Sequence, residues 1–287
     1  MKLVRYTRDN ITAMGVVKDD GIVDLKALIP GFDGGMIELL QSESTLAAIN
    51  ERLAAADITL SLKDVTLEAP LTNPRKFLAI GMNYQKHAEE AKAKGITPPE
   101  HQLWFNKQVS CITGPFNDVE LPTVSEQLDY EVELAFVIGK RCRHVKVEDA
   151  ADVIAAYTVC NDVSVRDWQL RVQTWTMGKS FDTHGPIGPW LVTKDEISDP
   201  HTLDLKCYVN GELRQSSNTS DLIHDCYQMV EHLSTVMTLE PGDIIATGTP
   251  SGVGVAMQPP QFLKVGDVVR CEVENIGYIE NTIVAEG

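Results

Sequence analysis

The run Asp129-Tyr130-Glu131-Val132-Glu133 leads without a break into Leu134-Ala135-Phe136-Val137-Ile138-Gly139. An alternating start followed by consecutive apolar residues predicts a strand over Tyr130 to Gly139 that belongs in a core. Side chains alternate across a strand, so Glu131 and Glu133 share one face, about 7 Å apart. Two like charges on so apolar a strand are costly unless a cation lies between them. A solvent-facing polar edge would account for the pair taken alone. Asn161-Asp162, closing the apolar run AAYTVC, adds a third carboxylate at a strand end. Three hard oxygen ligands suit Mg2+ or Mn2+, with positions left open for water or substrate. The lack of nearby histidine-cysteine spacing argues against zinc.

Composition narrows what such a site can serve. With 287 residues, 43% of them hydrophobic and 23% charged, the chain is long enough for one large domain plus a small appendage. Lys and Arg number 25 against 41 Asp and Glu, a net charge of -16. That field repels phosphate backbones and anionic lipid, so no nucleic acid and no membrane partner is expected, and an anionic substrate needs a local cation. No apolar run approaches the roughly 18 residues of a membrane span. The opening MKLVRYTRDN is charged where a signal peptide is apolar, so we expect a cytoplasmic protein, or a mature form whose targeting segment is gone. The six cysteines are scattered without a CxxC pair, as expected of reduced, mostly buried thiols.

Residues 1–69 read as a small unit of short alternating runs followed by two helix-like stretches, around Met36 to Leu40 and Thr45 to Ala54. The prolines and asparagine of LEAPLTNPR, Leu67 to Arg75, break the periodicity and place a boundary there, with 70–287 as the larger unit. Beyond it we expect a strand over Lys76 to Gly81, a charged helix over Tyr84 to Lys94 and a helix from Val163 to Val172. Asn210-Gly211 marks a hairpin. Ser220 with Asp221 is expected to open a core helix bearing Leu222, Cys226, Met229, Leu233 and Met237.

Other polar residues gather around the carboxylates in sequence. Arg166 and Gln169 stand three apart in the expected helix, where they share a face. Arg166 suits a substrate carboxylate, Gln169 suits a hydrogen bond, and Lys179 can polarise a carbonyl oxygen. A solvated helix face would equally explain Arg166 and Gln169. His87 and Glu90 are also three apart, and a histidine oriented by a carboxylate is a common water-activating base. The charges around them, Lys86, Glu89, Lys92 and Lys94, fit a plain solvated helix too. The segment Tyr84 to His101 has few anchoring residues and reads as a lid. The loop Ala246 to Gly254 offers backbone N–H groups, with the Thr249 hydroxyl, as an anion pocket, or is a simple tight turn.

In order, GMNYQKHAEE, DYEVELAFVIGK, YTVCNDVSVRDWQ, GKSFDTHGPIGPW, VNGELRQSSNT and PGDIIATGTPSGVG resemble the fumarylacetoacetate hydrolase family, from about Pro70 to the C-terminus. FDTHGPIGPWLVTKDEISDPHTL and PPQFLKVGDVVRCEVENIG look closest to the branch containing fumarylacetoacetate hydrolase domain-containing protein 2 and its bacterial homologues. The resemblance implies an α+β fold, mainly β: a mixed β-roll beside a small N-terminal α+β domain, usually as a homodimer. It implies Mg2+ or Mn2+ held by Glu131, Glu133 and Asp162, His87 and Glu90 as a water-activating dyad, and Lys179 in the catalytic site. Arg166, Gln169, Gly248 and Thr249 are implied around a small 2-oxo acid substrate. The further metal-binding aspartate of the founding fumarylacetoacetase has no counterpart beside His87. The leading expectation is a metal-dependent hydrolase that cleaves a carbon-carbon bond of a 3-acylpyruvate, such as fumarylpyruvate or maleylpyruvate, to release pyruvate. Its alternatives are decarboxylation or tautomerisation of oxaloacetate, and isomerisation of an unsaturated oxo-diacid in aromatic catabolism.

Overall fold

The strand Val132–Ile138 is buried along its whole length and sits near the middle of the largest sheet. This computed structural model describes residues 1–93, 95, 97 and 99–287. Part of the segment read as a lid, at 94, 96 and 98, therefore lies outside the described residues. Val132–Ile138 pairs antiparallel with Ile154–Asn161 on one side and Ile244–Ala246 on the other. The sheet continues past Ile154–Asn161 to Gly185–Thr193, and past Ile244–Ala246 to Phe77–Gly81 and Leu103–Lys107.

Strand alternation divides the core. Val132, Leu134, Phe136 and Ile138 point into a cluster shared with Asp204–Val209, Val268–Val273 and Gly277–Ala285, strands of a second, five-stranded sheet. Ala135 and Val137 face the opposite way, into a cluster with Met36, Leu39 and Ile49 of the N-terminal helices Met36–Gln41 and Glu43–Leu53. Glu131 and Glu133 have the parity of Ala135 and Val137, so the carboxylates leave the strand on the side expected from its sequence. The molecule is α+β and mainly β.

The first residues form antiparallel strands Lys2–Arg8, Ile11–Lys18 and Gly21–Asp24. Lys2 and Leu3 pair with Val192 and Leu191, which extends the large sheet into the N-terminal residues. The hairpin at Asn210-Gly211 joins Asp204–Val209 to Glu212–Asn218 as expected.

Two local expectations differ from the structure. The core helix begins at Cys226, not near Ser220, because Asp225 caps it. Its side chain accepts from the Gln228 backbone N–H at 2.8 Å, and Gln228 Oε1 accepts from Asp225 N–H at 3.0 Å. Leu222 is extended and bridges Tyr84 instead. The helix expected from Val163 to Val172 is confined to Arg166–Gln169, since Ser164–Val165 pairs as a short strand with Leu128–Asp129. Among the described residues, no helix is long and apolar enough to cross a membrane.

Candidate active site

Register builds the carboxylate cluster. Val132 stands opposite Asn161, so Glu131 and Asp162 emerge at the same end of adjacent strands, and Asp162 N–H donates to Glu131 O at 2.9 Å. The third strand, Ile244–Ala246, ends there too: Thr247 N–H donates to Leu134 O, and Gly248 N–H donates to Glu133 Oε2 at 2.7 Å. Carboxylate oxygens of Glu131, Glu133 and Asp162 consequently lie within 4.8 Å of one another, all three residues buried.

Cations interleave them. Lys179 Nζ lies 2.7 Å from both Glu131 Oε2 and Asp162 Oδ2. Lys107 Nζ lies 2.7 Å from Asp162 Oδ1 and donates to the Lys179 carbonyl. Arg166 spans two carboxylates, with Nε 2.8 Å from Asp129 Oδ2 and Nη1 2.7 Å from Glu131 Oε1. Burial pushes the Glu131 carboxyl up, but Lys179 and Arg166 outweigh it and bring it to about 2. Glu133 goes the other way: burial, with Asp162 and Glu131 beside it, raises its carboxyl well above the ordinary value. Four buried carboxyl groups, Asp129 included, thus face three buried cations, and among the described residues Glu133 is the one of the four with no lysine or arginine within ion-pair distance.

This donor set fits a hard divalent cation. The oxygens paired with lysine or arginine each keep a second lone pair, and carboxylates alone suit Mg2+ or Mn2+ better than a softer metal. Glu131, Glu133 and Asp162 would hold the ion.

Beside the cluster lies a cavity of about 170 Å3, lined by His87, Glu90, Glu131, Glu133, Arg166, Gln169, Lys179 and Thr249. Apolar walls come from Ile80, Phe105, Trp175 and Val253. His87 Nδ1 and Glu90 Oε2 are 3.1 Å apart on the helix Gln85–Ala93. Arg166 Nη1 also donates to Gln169 Oε1 at 2.9 Å, while Arg166 Nη2 is buried with no hydrogen-bond partner among the described residues.

The structure therefore brings together nearly all the residues singled out from sequence. Asp162 stands behind Lys179 and outside the cavity wall. Gly248 is also outside that wall, and its N–H is committed to Glu133. Thr249 reaches the wall, but its hydroxyl donates to Val132 O at 3.0 Å and accepts from Gln215 Nε2 at 2.7 Å. It offers a ligand only a remaining lone pair. Sequence reasoning missed Lys107 and left Asp129 without a role. A lysine ending the apolar strand Leu103–Lys107 was the available signal for the first.

The family model described as fumarylacetoacetate (FAA) hydrolase C-terminal matches residues 76–284. This chain belongs to the fumarylacetoacetate hydrolase family. Within the family it is 45% identical over 291 residues to human oxaloacetate tautomerase FAHD2A, mitochondrial, with 99% of this chain and 92% of that protein covered. It is 44% identical over 291 residues to the Xenopus laevis mitochondrial oxaloacetate tautomerase fahd2, with 99% and 90% covered. Among solved structures, maleylpyruvate hydrolase from Sphingobium sp. SYK-6 in complex with manganese(II) and pyruvate is similar with a TM-score of 0.84 and 36% identity, covering 100% of both chains. The comparisons thus include both a tautomerase and a hydrolase of 2-oxo acids within this fumarylacetoacetate hydrolase fold.

Proposed function

We propose that this protein is a divalent-metal-dependent enzyme of short 2-oxo acids whose principal reaction is keto-enol tautomerisation of oxaloacetate. The observation that carries the reading is the placing of Glu131 and Glu133 of the carboxylate cluster, Lys179, His87 and Arg166 around one small cavity, with Arg166 Nη2 unpartnered among the described residues. At about 170 Å3 it lies well below the ~300–1,000 Å3 of sites for drug-sized ligands, and it suits a four-carbon acid. The similarity to tautomerase relatives at 44% and 45% identity is our ground for preferring this reaction to hydrolysis, the leading expectation from sequence.

Tautomerisation moves one proton between C3 and the oxygen on C2 and breaks no carbon-carbon bond. In this reading Arg166 receives a substrate carboxylate, and Lys179 places positive charge near the keto oxygen. His87 takes or returns the proton at carbon, with its ring held by Glu90. The apolar walls formed by Ile80, Phe105 and Trp175 keep bulk water from the carbon that loses its proton. A bound divalent ion supplies a Lewis acid that favours negative charge on the oxygen. All these residues fall in 70–287, which we take as the catalytic unit, with 1–69 as a support docked through Lys2 and Leu3.

Hydrolysis of an acylpyruvate is the second reading, favoured by the 3.1 Å contact between His87 and Glu90, an arrangement that also activates water. One assay separates the two. Mn2+-loaded protein is given oxaloacetate and, separately, acylpyruvates, with enol absorbance and pyruvate release followed independently. Fast loss of enol absorbance without matching pyruvate release supports tautomerisation. Pyruvate release from acylpyruvates that falls by about 100-fold or more in His87→Ala supports hydrolysis. Full turnover after metal removal defeats both.

A further inference from the structure

Asp129 touches the cavity only through other groups, yet it collects four donors. Its Oδ1 accepts from Tyr130 N–H at 2.9 Å and Gly254 N–H at 2.8 Å, and its Oδ2 accepts from Val255 N–H at 2.9 Å and Arg166 Nε at 2.8 Å. The residue is wholly excluded from solvent. The approach of the loop is close: a Cβ on Gly254 would lie 2.0 Å from Gln261 O and 2.7 Å from Asp129 Oδ1, so only glycine brings this backbone against the carboxylate. The same loop supplies Val253, Val255 and Ala256 to the cavity wall.

We infer that Asp129 is a positioning residue for ligand recognition: it fixes the Arg166 guanidinium through Nε and ties the Val253 to Ala256 wall to it, keeping Nη2 for a carboxylate of a 2-oxo acid. The guanidinium is planar, so fixing Nε and Nη1 fixes the third nitrogen as well. With Nε on Asp129, and Nη1 on Glu131 and Gln169, Nη2 is the nitrogen left over, buried and unpartnered among the described residues. An unmet buried donor on a cation is costly unless a ligand meets it, so ligand binding gains what the empty cavity lacks. Asp129 stands two residues before Glu131 on the same stretch of chain, which couples the aim of Arg166 to the position of the carboxylate cluster.

The inference rests on the proposal that the cavity takes 2-oxo acids, and binding tests it separately from turnover. Oxalate, a non-reacting dianion with the carboxylate chemistry of such acids, is titrated into Mn2+-loaded wild type, Asp129→Asn, Arg166→Lys and the double variant by calorimetry. In Asp129→Asn an amide nitrogen replaces one acceptor oxygen and the carboxylate charge on Arg166 Nε is lost. Expected is a loss of oxalate affinity of about 10- to 100-fold in each single variant, the scale of one charged hydrogen bond. Mn2+ affinity should change by less than about threefold, and the double variant should be no worse than the weaker single by more than that, since both act on one group. Wild-type oxalate affinity in Asp129→Asn, or losses that multiply in the double variant, overturns the inference. If Asp129→Asn does not fold, Arg166→Lys decides: it keeps the charge against Glu131 but loses the fork, and wild-type oxalate affinity in it overturns the inference. Failure of the catalytic reading looks different, as wild-type protein that binds Mn2+ and oxalate but turns over none of the oxo acids.

Discussion

The Lys107 ammonium and the Asp162 carboxylate form a contact of 2.7 Å with both side chains 0% exposed. Burial lowers the lysine's proton affinity, but Asp162 outweighs it and the group stays charged. Breaking a buried pair from one side leaves the other charge unpaired, at about 3–5 kcal/mol. Lys107→Met is therefore expected to destabilise the protein by about that amount in urea unfolding, and Lys107→Met with Asp162→Asn by clearly less. Equal losses in the single and double variants would show that the pair does not act as a unit.

Glu133 occupies the opposite situation. Among the described residues it has no lysine or arginine within ion-pair distance, and Gly248 N–H is its hydrogen-bond donor, while Asp162 and Glu131 repel its charge. Glu133→Gln keeps an oxygen for Gly248 and removes the repulsion. The metal-free variant should be at least as stable as wild type, yet bind Mn2+ more weakly by about 100-fold or more, beyond the ~10–100-fold typical of groups that only support a ligand. Titration of Mn2+ by electron paramagnetic resonance, alongside thermal unfolding without metal, reads both. Retained affinity would remove Glu133 from the ligand set.

Most of the polar cluster was legible in sequence because strand parity and strand ends are local properties. Glu131 and Glu133 share a face by the period of two, and Asp162 was visible as a carboxylate closing an apolar run. Lys107 and Asp129 were not legible in the same way, since their partners lie 55 and 37 residues away and only strand register brings them together. The start of the core helix was misplaced for a different reason: Ser220 and Asp225 both have capping chemistry, and the reciprocal bond from Gln228 decides between them. The short helix Arg166–Gln169 has a tertiary reason too, because Ser164 and Val165 are paired as a strand with Leu128 and Asp129. The cavity walls depend on tertiary packing, and no period in the sequence encodes them.

His184 gives the protein a pH response outside the catalytic cluster. It is wholly buried, its Nε2–H donates to Glu120 O at 2.8 Å, and its Nδ1 has no partner among the described residues. Burial lowers it from the ordinary 6.5 to about 4. Between those values the unfolded chain binds the proton and the folded chain does not, so stability is full above about pH 6.5 and is lost as pH falls toward 4. The difference corresponds to at most about 3 kcal/mol. Urea unfolding of metal-free protein at pH 7.5 and pH 4.5 should show the fall, and His184→Gln should reduce it. An identical fall in the variant would assign the response to other groups.

Trp175 is part of the cavity wall. Its backbone is left-handed, φ 60°, its ring packs 5.5 Å from Phe105, and a Cβ on Gly81 would lie 2.5 Å from its Cζ3. A tryptophan in that backbone region carries strain, which persists where surrounding packing fixes it and which clusters at binding sites. Gly81 and Phe105 hold the ring in that wall, so shortening the side chain is expected to make room for a longer acid. Trp175→Ala should open that space at a cost of about 1–3 kcal/mol, less than a fully buried tryptophan would lose, because the residue is half-buried. The variant is expected to lose kcat/KM for oxaloacetate while the ratio favouring fumarylpyruvate or maleylpyruvate rises by about tenfold or more, the scale on which a pocket discriminates a few heavy atoms. Gly81→Ala pushes on the same ring from below and should shift the ratio in the same direction by a smaller factor. Competition assays with both acids present measure the ratio directly, independent of the fraction of folded protein. An unchanged ratio in Trp175→Ala would mean that the cavity ends at another wall.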